Sequence, residues 1–373
     1  MINERRGLPR LFFSCAKTSL RHAFACPWPV PRARNQRVEV RDLLDPVLAA
    51  TSRSTSVSLA CDALGRYDSD TVYHHLRKLD AKASLAYARS VNSNLLAEAR
   101  RNGLLQDPQV VAVDTHKDPD YTHDHADCIK ARGARGTSFV LDYLSLETTG
   151  ENRLTLAFSP VTNEKPVREC YREVLQQALV EAPIRMLLAD RGMFGTPLMQ
   201  AARELGIPYV IAAQRNNVVA RHIRENEGSA RRIPRRPGHR FAEVTLAFHP
   251  ARRHRFTTTL ILFWRPDKHA KRSVCFPFAT SEKHLSPTRA YELAYLYLKR
   301  WGIETGYRIK NKLRVRTCSP HAGIRRFLQY FSILGHNLWI LQRSLTRTKN
   351  AKTLVTVRLF QVMLDKLVAE RAL

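Results

Sequence analysis

The change of hydrophobic period near Asp107 constrains the fold of this chain more than any other feature. Before it, residues 37–102 carry apolar side chains at helical spacing. After it, short apolar runs typical of strands alternate with helical stretches at about 166–181 and 196–205. That order predicts an α/β fold in which helices flank a mixed sheet. We expect its strands at 109–114, 138–146, 153–158, 184–189 and 209–213.

A β-rich insertion is expected to interrupt this pattern at about 214–285. Its first part, 215–240, is polar and rich in arginine, which predicts an exposed loop. The chain then returns to helical spacing at Ser286 and Pro287, a pair that commonly opens a helix. We expect insertion strands at 241–248, 257–264 and 274–279, followed by helices at 286–304, 323–345 and 354–372.

The spacing of these elements predicts four regions. Residues 1–36 are basic and rich in proline near their end, which predicts a flexible arm. Residues 37–106 are predicted to form a helical DNA-binding domain. The sheet domain is expected at 107–345, and a last helix at 346–373.

Within the helical domain, two short helices suggest how DNA is recognised. Helices expected at 56–64 and 71–79 flank a turn at Gly65, which is typical of a helix-turn-helix. An ordinary helical packing domain is the alternative, because short helix pairs are common. The side chains expected to face DNA are His74, His75, Arg77 and Lys78.

The charge of the chain indicates a polyanionic partner. Its 373 residues carry a formal net charge of +28, with a pI near 10.4, and such a field attracts DNA or RNA. Ribosomes and anionic membrane surfaces also attract basic proteins. Seven scattered cysteines without a Cys-x-x-Cys pair indicate a reducing, cytoplasmic setting. We expect no membrane span, because no apolar run reaches about 18 residues.

Three carboxylates stand out by position. Asp114 and Asp190 are expected at strand ends, where α/β proteins place ligands. Glu304 would share one helix face with Tyr297 and Arg300, in strongly basic surroundings. Singly, these acids would be read as turn, cap or solvated helix residues. Together they suit a pair of Mg²⁺ or Mn²⁺ ions that activate a nucleophile for phosphoryl transfer.

The local strings around these acids carry a family resemblance. Val113-Asp114, Ala189-Asp190-Arg191-Gly192 and Tyr297-x2-Arg300-x3-Glu304 resemble the motifs of the DDE transposases of prokaryotic insertion sequences, in particular the insertion-sequence-four branch. The resemblance covers about 110–341. It implies an RNase H-like core with a β-rich insertion, in which Asp114, Asp190 and Glu304 bind two metal ions. It also implies that Tyr297 and Arg300 meet DNA phosphates.

The resemblance is incomplete at two positions. The family pattern continues with a lysine where this chain has Asn311, so we expect its neighbours Lys310 and Lys312, together with Arg308, to contact DNA. In related enzymes a tryptophan of the insertion stabilises a flipped base during hairpin formation. Trp264 ends an expected insertion strand, where a plain core aromatic is the favoured interpretation. Hairpin chemistry therefore does not follow from it.

A zinc site is the competing interpretation of residues 114–128. The segment is dense in ligand types but matches no closed zinc template, and polar loops after a catalytic strand are common. Its potential ligands are His116, Asp118, Asp120, His123, Asp124, His125, Asp127 and Cys128.

The sequence therefore predicts a DNA transposase that cleaves at transposon ends and joins the freed 3′ hydroxyls to target DNA. Its expected partners are double-stranded DNA, as terminal inverted repeats and target, and a second copy of the chain in a homodimer. Its expected location is the cytoplasm, on the nucleoid. The alternatives are an RNase H-like nuclease or resolvase without strand transfer, and a DNA-binding regulator without catalysis.

Overall fold

The computed structural model describes residues 17–29, 38–121, 127–131, 136–248, 256–267, 272–349 and 355–370. The described part of the amino-terminal region differs from the flexible arm that the sequence predicts. Residues 17–23 form helix α1, and the chain then packs Phe24 against Phe331 and Trp28 against Tyr87. These aromatic contacts stabilise the packing of the segment, although prolines near its end prevent a continuing helix.

The helical domain consists of four helices before the sheet. Ser56 caps the second of them through its Oγ, which accepts from Leu59 N, and Asp68 caps the third. The two short helices pack on the first and on each other, and the helix-turn-helix stays a prediction. His75 is buried, so the prediction that it faces DNA was wrong. These helices are α2 (Val40–Arg53), α3 (Val57–Leu64), α4 (Ser69–Leu76) and α5 (Ala81–Arg101).

The sheet contains ten strands among the described residues. Its order is β2-β3-β1-β5-β6-β10-β9-β8-β7, and β4 pairs with β3 beside that path. The β1–β5 and β5–β6 pairs are parallel and the others are antiparallel. The strands are β1 (Gln109–Pro119), β2 (Ile129–Lys130), β3 (Phe139–Thr148), β4 (Thr155–Val161), β5 (Ile184–Ala189), β6 (Tyr209–Ala212), β7 (Arg231–Arg232), β8 (Arg240–Phe248), β9 (Phe256–Asp267) and β10 (Arg272–Thr280).

The insertion extends the main sheet. Its strand β10 pairs antiparallel with β6, and β9, β8 and β7 follow outward. Trp264 on β9 is 1% exposed and packs with Leu260 and Leu262, as expected of a core aromatic. The segment predicted as an exposed loop contains a helix, α8 (Asn217–Asn226), which Asn216 caps and Val219 anchors in the insertion core. Ile223 of the same helix also packs against this core, and the arginine-rich composition gave no indication of these apolar contacts.

Seven helices follow β4 in the described chain, and one of them organises the core. The long helix α11 packs along α5, and its Asn337 side chain accepts from Thr155 N and donates to Asn92 Oδ1. None of the described helices is long and apolar enough to cross a membrane. These helices are α6 (Val167–Glu181), α7 (Thr196–Glu204), α8, α9 (Pro287–Tyr297), α10 (Gly302–Lys312), α11 (Ala322–Lys349) and α12 (Val357–Ala369).

Candidate active site

The parallel pairing of β1 with β5 brings Asp114 and Asp190 together. The last pair in that register is Val113 with Ala189, and each aspartate follows directly. β5 ends there as predicted, whereas β1 continues to Pro119 because its later residues pair with β3. Asp114 therefore lies within a strand and not at the predicted strand end. The two carboxylates still lie side by side where the parallel pairing stops.

Asp190 is fixed by the turn that follows it. Its Oδ1 accepts from the backbone N of Met193 at 3.2 Å, which caps a short 3₁₀ turn at Arg191–Met193. A Cβ at Gly192 would lie 3.2 Å from the same oxygen, closer than an ordinary contact. Glycine at this position therefore leaves room for the carboxylate.

The third segment is broken where the sequence predicted one continuous helix. A 3₁₀ turn at Leu298–Trp301 separates α9 from α10, so the chain is wound more tightly between Tyr297 and Glu304. Arg300 nevertheless joins the two: its Nε donates to Tyr297 Oη at 3.2 Å and its Nη2 to Glu304 Oε1 at 3.2 Å. The three side chains converge, as the spacing predicted.

Arg300 also links this segment to the sheet. Its Nη1 lies 3.8 Å from Asp114 Oδ2, and the side chain is only 8% exposed. One guanidinium thus lies between Asp114 and Glu304, which come from elements far apart in the sequence. Arg300 therefore links Asp114, Tyr297 and Glu304.

The environment of Asp114 disfavours ionisation of its carboxyl group. Burial raises the pKa of its carboxyl to about 6, and the negative charge of Asp190 adds to the increase. The backbone N of Thr115, which donates to Asp114 Oδ1 at 2.8 Å, and the Arg300 guanidinium oppose it. Burial also raises the pKa of Tyr297. Additional positive charge would therefore stabilise the ionised form of Asp114.

Two clefts flank the carboxylates. A polar cleft of about 580 Å³ lies beside Asp114 and Asp190, with Lys117 on its wall. An aromatic cleft of about 440 Å³ lies on the side of Tyr297 and Arg300. The polar cleft is thus lined by Asp114 and Asp190, and the aromatic cleft by Tyr297 and Arg300.

The donor set suits a hard divalent cation at Asp114 and Asp190. A cation there would stabilise the ionised form of Asp114, whose pKa is raised by burial and by the charge of Asp190, and oxygen donors suit Mg²⁺ or Mn²⁺. Among the described residues no group of three or more His, Cys, Asp or Glu side chains is gathered closely enough to hold a metal ion. Glu304 is instead bound by Arg300.

Comparison with known proteins decides the family. The family model described as Transposase DDE domain matches residues 98–335, which is more than half of the chain and includes all three carboxylates. The chain belongs to this family. No curated protein matches this transposase-domain chain significantly.

A solved structure shows the same fold. The cryo-EM structure of the piggyBac transposase synaptic complex with hairpin DNA matches with a TM-score of 0.56 and 13% identity, over 98% of this chain and 80% of that chain. At this identity the similarity shows the fold alone. It confirms the predicted α/β class, in which helices flank a large mixed sheet.

Lys310 does not occupy the position that the sequence predicted in this transposase domain. Its side chain is 0% exposed and its Nζ donates to Glu147 Oε1, which is itself buried on β3. Burial lowers the pKa of Lys310, and Glu147 opposes that change. The DNA contact predicted for Lys310 is therefore wrong for this conformation. The ion pair instead fastens α10 to the sheet.

Neighbouring contacts complete that attachment. Tyr307 Oη lies 3.1 Å from Ser145 Oγ, and the Tyr307 ring packs on His116 with centroids 4.6 Å apart. A Cβ at Gly306 would meet Glu147 Oε2 at 2.5 Å. The sequence signal for this close approach is the pair of glycines at 302 and 306, one helical turn apart. Glu147 itself carried no such signal.

The candidate zinc ligands that are described have other partners. His116 Nε2 lies 3.3 Å from Asp118 Oδ1, and the Cys128 thiol donates to Asp120 Oδ2 at 3.2 Å. Asp127 pairs with the buried Arg326. His123, Asp124 and His125 lie outside the described residues.

The remaining DNA-contact candidates lie on the surface. Arg308 and Lys312 are exposed on α10, on the side turned away from the buried pair. Arg77 and Lys78 are exposed directly after α4. These four residues stay predictions, since exposure permits contact with DNA without demonstrating it.

Proposed function

We propose that this chain is a DNA transposase of the insertion-sequence-four-like branch. It would cleave phosphodiester bonds at the ends of a transposon and join the freed 3′ hydroxyls to target DNA. The observation that supports this most is the convergence of Asp114, Asp190 and Glu304, through Arg300, in a chain of the Transposase DDE domain family.

Mg²⁺ or Mn²⁺ would be held by Asp114 and Asp190, and by Glu304 once it is released from Arg300. When bound, the metal supplies Lewis acidity for in-line phosphoryl transfer. Neutralisation of the Asp114 carboxylate would weaken its electrostatic attraction to Arg300. Its forked guanidinium would then be available to a DNA phosphate beside Tyr297. Burial keeps Arg300 and Asp114 partly shielded from water, which strengthens each of these interactions.

The proposed DNA contacts extend from this centre. Arg308 and Lys312 lie on the exposed side of the helix that carries Glu304, and Arg77 and Lys78 lie on the helical domain. Positive side chains of this kind bind the backbone of duplex DNA regardless of its sequence. The proposal includes a homodimer, since two transposon ends require two active sites, and a nucleoid-associated, cytoplasmic location.

Cleavage of an end-bearing duplex with Mg²⁺ tests the assignment. Glu304→Gln keeps the shape of the side chain and its hydrogen bond to Arg300 but removes the charge, so cleavage should fall at least about 100-fold. Glu292→Gln is the matched control, because Glu292 lies exposed on α9 and pairs with Arg289. Cleavage by E304Q at the wild-type rate would refute the role of Glu304.

The products of the same reaction separate the alternatives. Strand-transfer products on a target plasmid support a transposase, whereas cleavage without joining indicates a nuclease or resolvase. Binding that survives chelation, with no cleavage in Mg²⁺ or Mn²⁺, would indicate a regulator.

A further inference from the structure

The turn between β7 and β8 concentrates positive charge. Residues 231–240, here called the arginine hairpin, contain five arginines, of which four are exposed. Within the part of the chain that the structure describes, none of the five forms an ion pair with an acid. Like charges held together in this way repel one another, and a polyanion would relieve that repulsion.

The hairpin is held in a defined shape. Its ends are closed by the pairing of Arg232 with Arg240 and by a hydrogen bond from Ile233 N to His239 O at 3.0 Å. Arg235 has φ of 58°, a left-handed conformation that is uncommon for a residue with a side chain. Gly238 also has a positive φ of 75°, and a Cβ there would lie 2.5 Å from Pro266 Cγ. The arginines therefore project from a fixed turn.

Aromatic rings hold several of the guanidinium groups in place. Each lies over the face of a ring from a neighbouring strand or helix, which limits its rotamers and lowers the entropy lost on binding a ligand. The distances from guanidinium carbon to ring centroid are 4.4 Å for Arg231 over Phe241, 4.6 Å for Arg236 over Tyr291 and 5.8 Å for Arg240 over Trp264.

We propose that the arginine hairpin binds the phosphate backbone of DNA at a site separate from the carboxylates. A concave cleft of about 650 Å³ is lined by Arg232, Arg235, Arg236 and Arg240. Guanidinium groups match phosphate oxygens with two parallel hydrogen bonds, which favours a nucleic-acid backbone over a single small anion for an array of this kind.

The structure also sets the distance between this site and the proposed site of cleavage. Arg236 lies over Tyr291 of α9, which precedes Glu304 by thirteen residues. With about 1.5 Å for each of the nine α-helical steps and about 2.0 Å for each of the four 3₁₀ steps, the Cα positions of Tyr291 and Glu304 lie at most about 22 Å apart along the chain. Since duplex DNA rises about 3.4 Å per base pair, the hairpin contacts phosphates within about six base pairs of the cleaved bond.

This distance rests on the proposed function, because it assumes that cleavage takes place at Glu304. The contact with DNA does not depend on that assumption. Binding measured in chelator therefore tests the hairpin, and the dependence on DNA length tests its distance from the active site.

The test uses Arg232→Ala/Arg235→Ala, since these two arginines are exposed and have no ring partner among the described contacts. Affinity for an end-bearing duplex is measured in EDTA between about 50 mM and about 200 mM salt. The slope of log affinity against log salt should fall in magnitude by about 1.8, or about 0.9 for each lost phosphate contact. Equal thermal midpoints for variant and wild type establish that folding is retained.

The matched control removes the same charge elsewhere. Arg101 is exposed in the last turn of α5 and Arg185 is exposed at the start of β5, the strand end opposite Asp190, and Arg101→Ala/Arg185→Ala should leave the slope unchanged. An unchanged slope in R232A/R235A, or an equal change in the control, would overturn the proposal. On duplexes that extend about seven base pairs beyond the cleaved bond, R232A/R235A should show its full defect. Absence of the defect on those duplexes, with its return on longer ones, overturns the stated distance.

The outcome for the proposed function is read separately. If R232A/R235A shows the altered slope while no variant or wild-type protein cleaves DNA, the hairpin binds DNA and the catalytic assignment fails. If wild-type protein cleaves DNA and the slope is unchanged, the catalytic assignment stands and the hairpin proposal fails.

Discussion

Replacement of Asp114 by asparagine should stabilise the folded protein at neutral pH while removing the proposed activity. The ordinary aspartate pKa of 3.8 is raised to about 6 in the fold, first by burial and then by Asp190. Ionisation of Asp114 at pH 7 therefore costs free energy in the folded protein that it does not cost in the unfolded chain. Asparagine keeps the shape and can still accept from Thr115 N, but it cannot ionise.

The magnitude follows from the shift in the pKa. About two units correspond to about 3 kcal/mol when the pH lies well above both values. The side chain is 18% exposed, and asparagine gives up the attraction to Arg300. We therefore expect a gain of about 1–3 kcal/mol in the free energy of unfolding. Because the folded pKa is raised, the contribution of protonated Asp114 is fully present below about pH 4 and is lost as the pH rises through about 6.

Urea unfolding in EDTA at about pH 4 and about pH 8 measures this difference. D114N should exceed wild type at the higher pH and match it at the lower, and Asp107→Asn, in an exposed loop before β1, is the control. Added Mg²⁺ should stabilise wild type more than D114N. A variant that is less stable than wild type at about pH 8, or a difference independent of pH, would refute this account of the site.

Two further substitutions test how the site is supported. Lys310→Met leaves the Glu147 charge buried without its partner and should lower the free energy of unfolding in urea by about 3–5 kcal/mol. Glu147→Leu in the same chain should restore most of that loss. Wild-type stability of the Lys310→Met variant would contradict the buried pair. Gly323→Ala would place a Cβ 1.8 Å from Leu79 O and should cost about 1–3 kcal/mol or more, whereas Gly228→Ala, with open space around it, should change stability by less than about 0.5 kcal/mol. Equal melting temperatures for the two glycine variants would contradict the close packing of α11 on the helical domain.

Eight of the ten strands in the described sheet could be predicted from their apolar side chains, whereas the two-residue strands β2 and β7 were not predicted. Residues 184–189 show this directly, and the observed β5 has the same bounds. The second half of β1 could not be predicted in this way, since its polar residues resemble a loop. His116 and Asp118 are nevertheless held in the strand by pairing with β3 and by partners from α10 and α11.

The candidate site shows the same division between local and long-range information. The spacing of Tyr297, Arg300 and Glu304 predicted their convergence, because a helical turn decides it locally. The burial of Lys310 could not be predicted, because it depends on Glu147, which lies far away in the sequence. A lysine in a basic stretch resembles a surface residue until its partner is known.

The junction between β6 and β10 has a consequence for protein engineering. The insertion joins the rest of the sheet through three residue pairs, Val210 with Thr280, Ile211 with Ala279 and Ala212 with Phe278. Excision of the insertion would leave β6 as an unpaired edge, which invites pairing with other chains. An insertion transplanted from a relative must therefore bring a strand that completes these three pairs. Chimeras that preserve this three-pair ladder should be monodisperse.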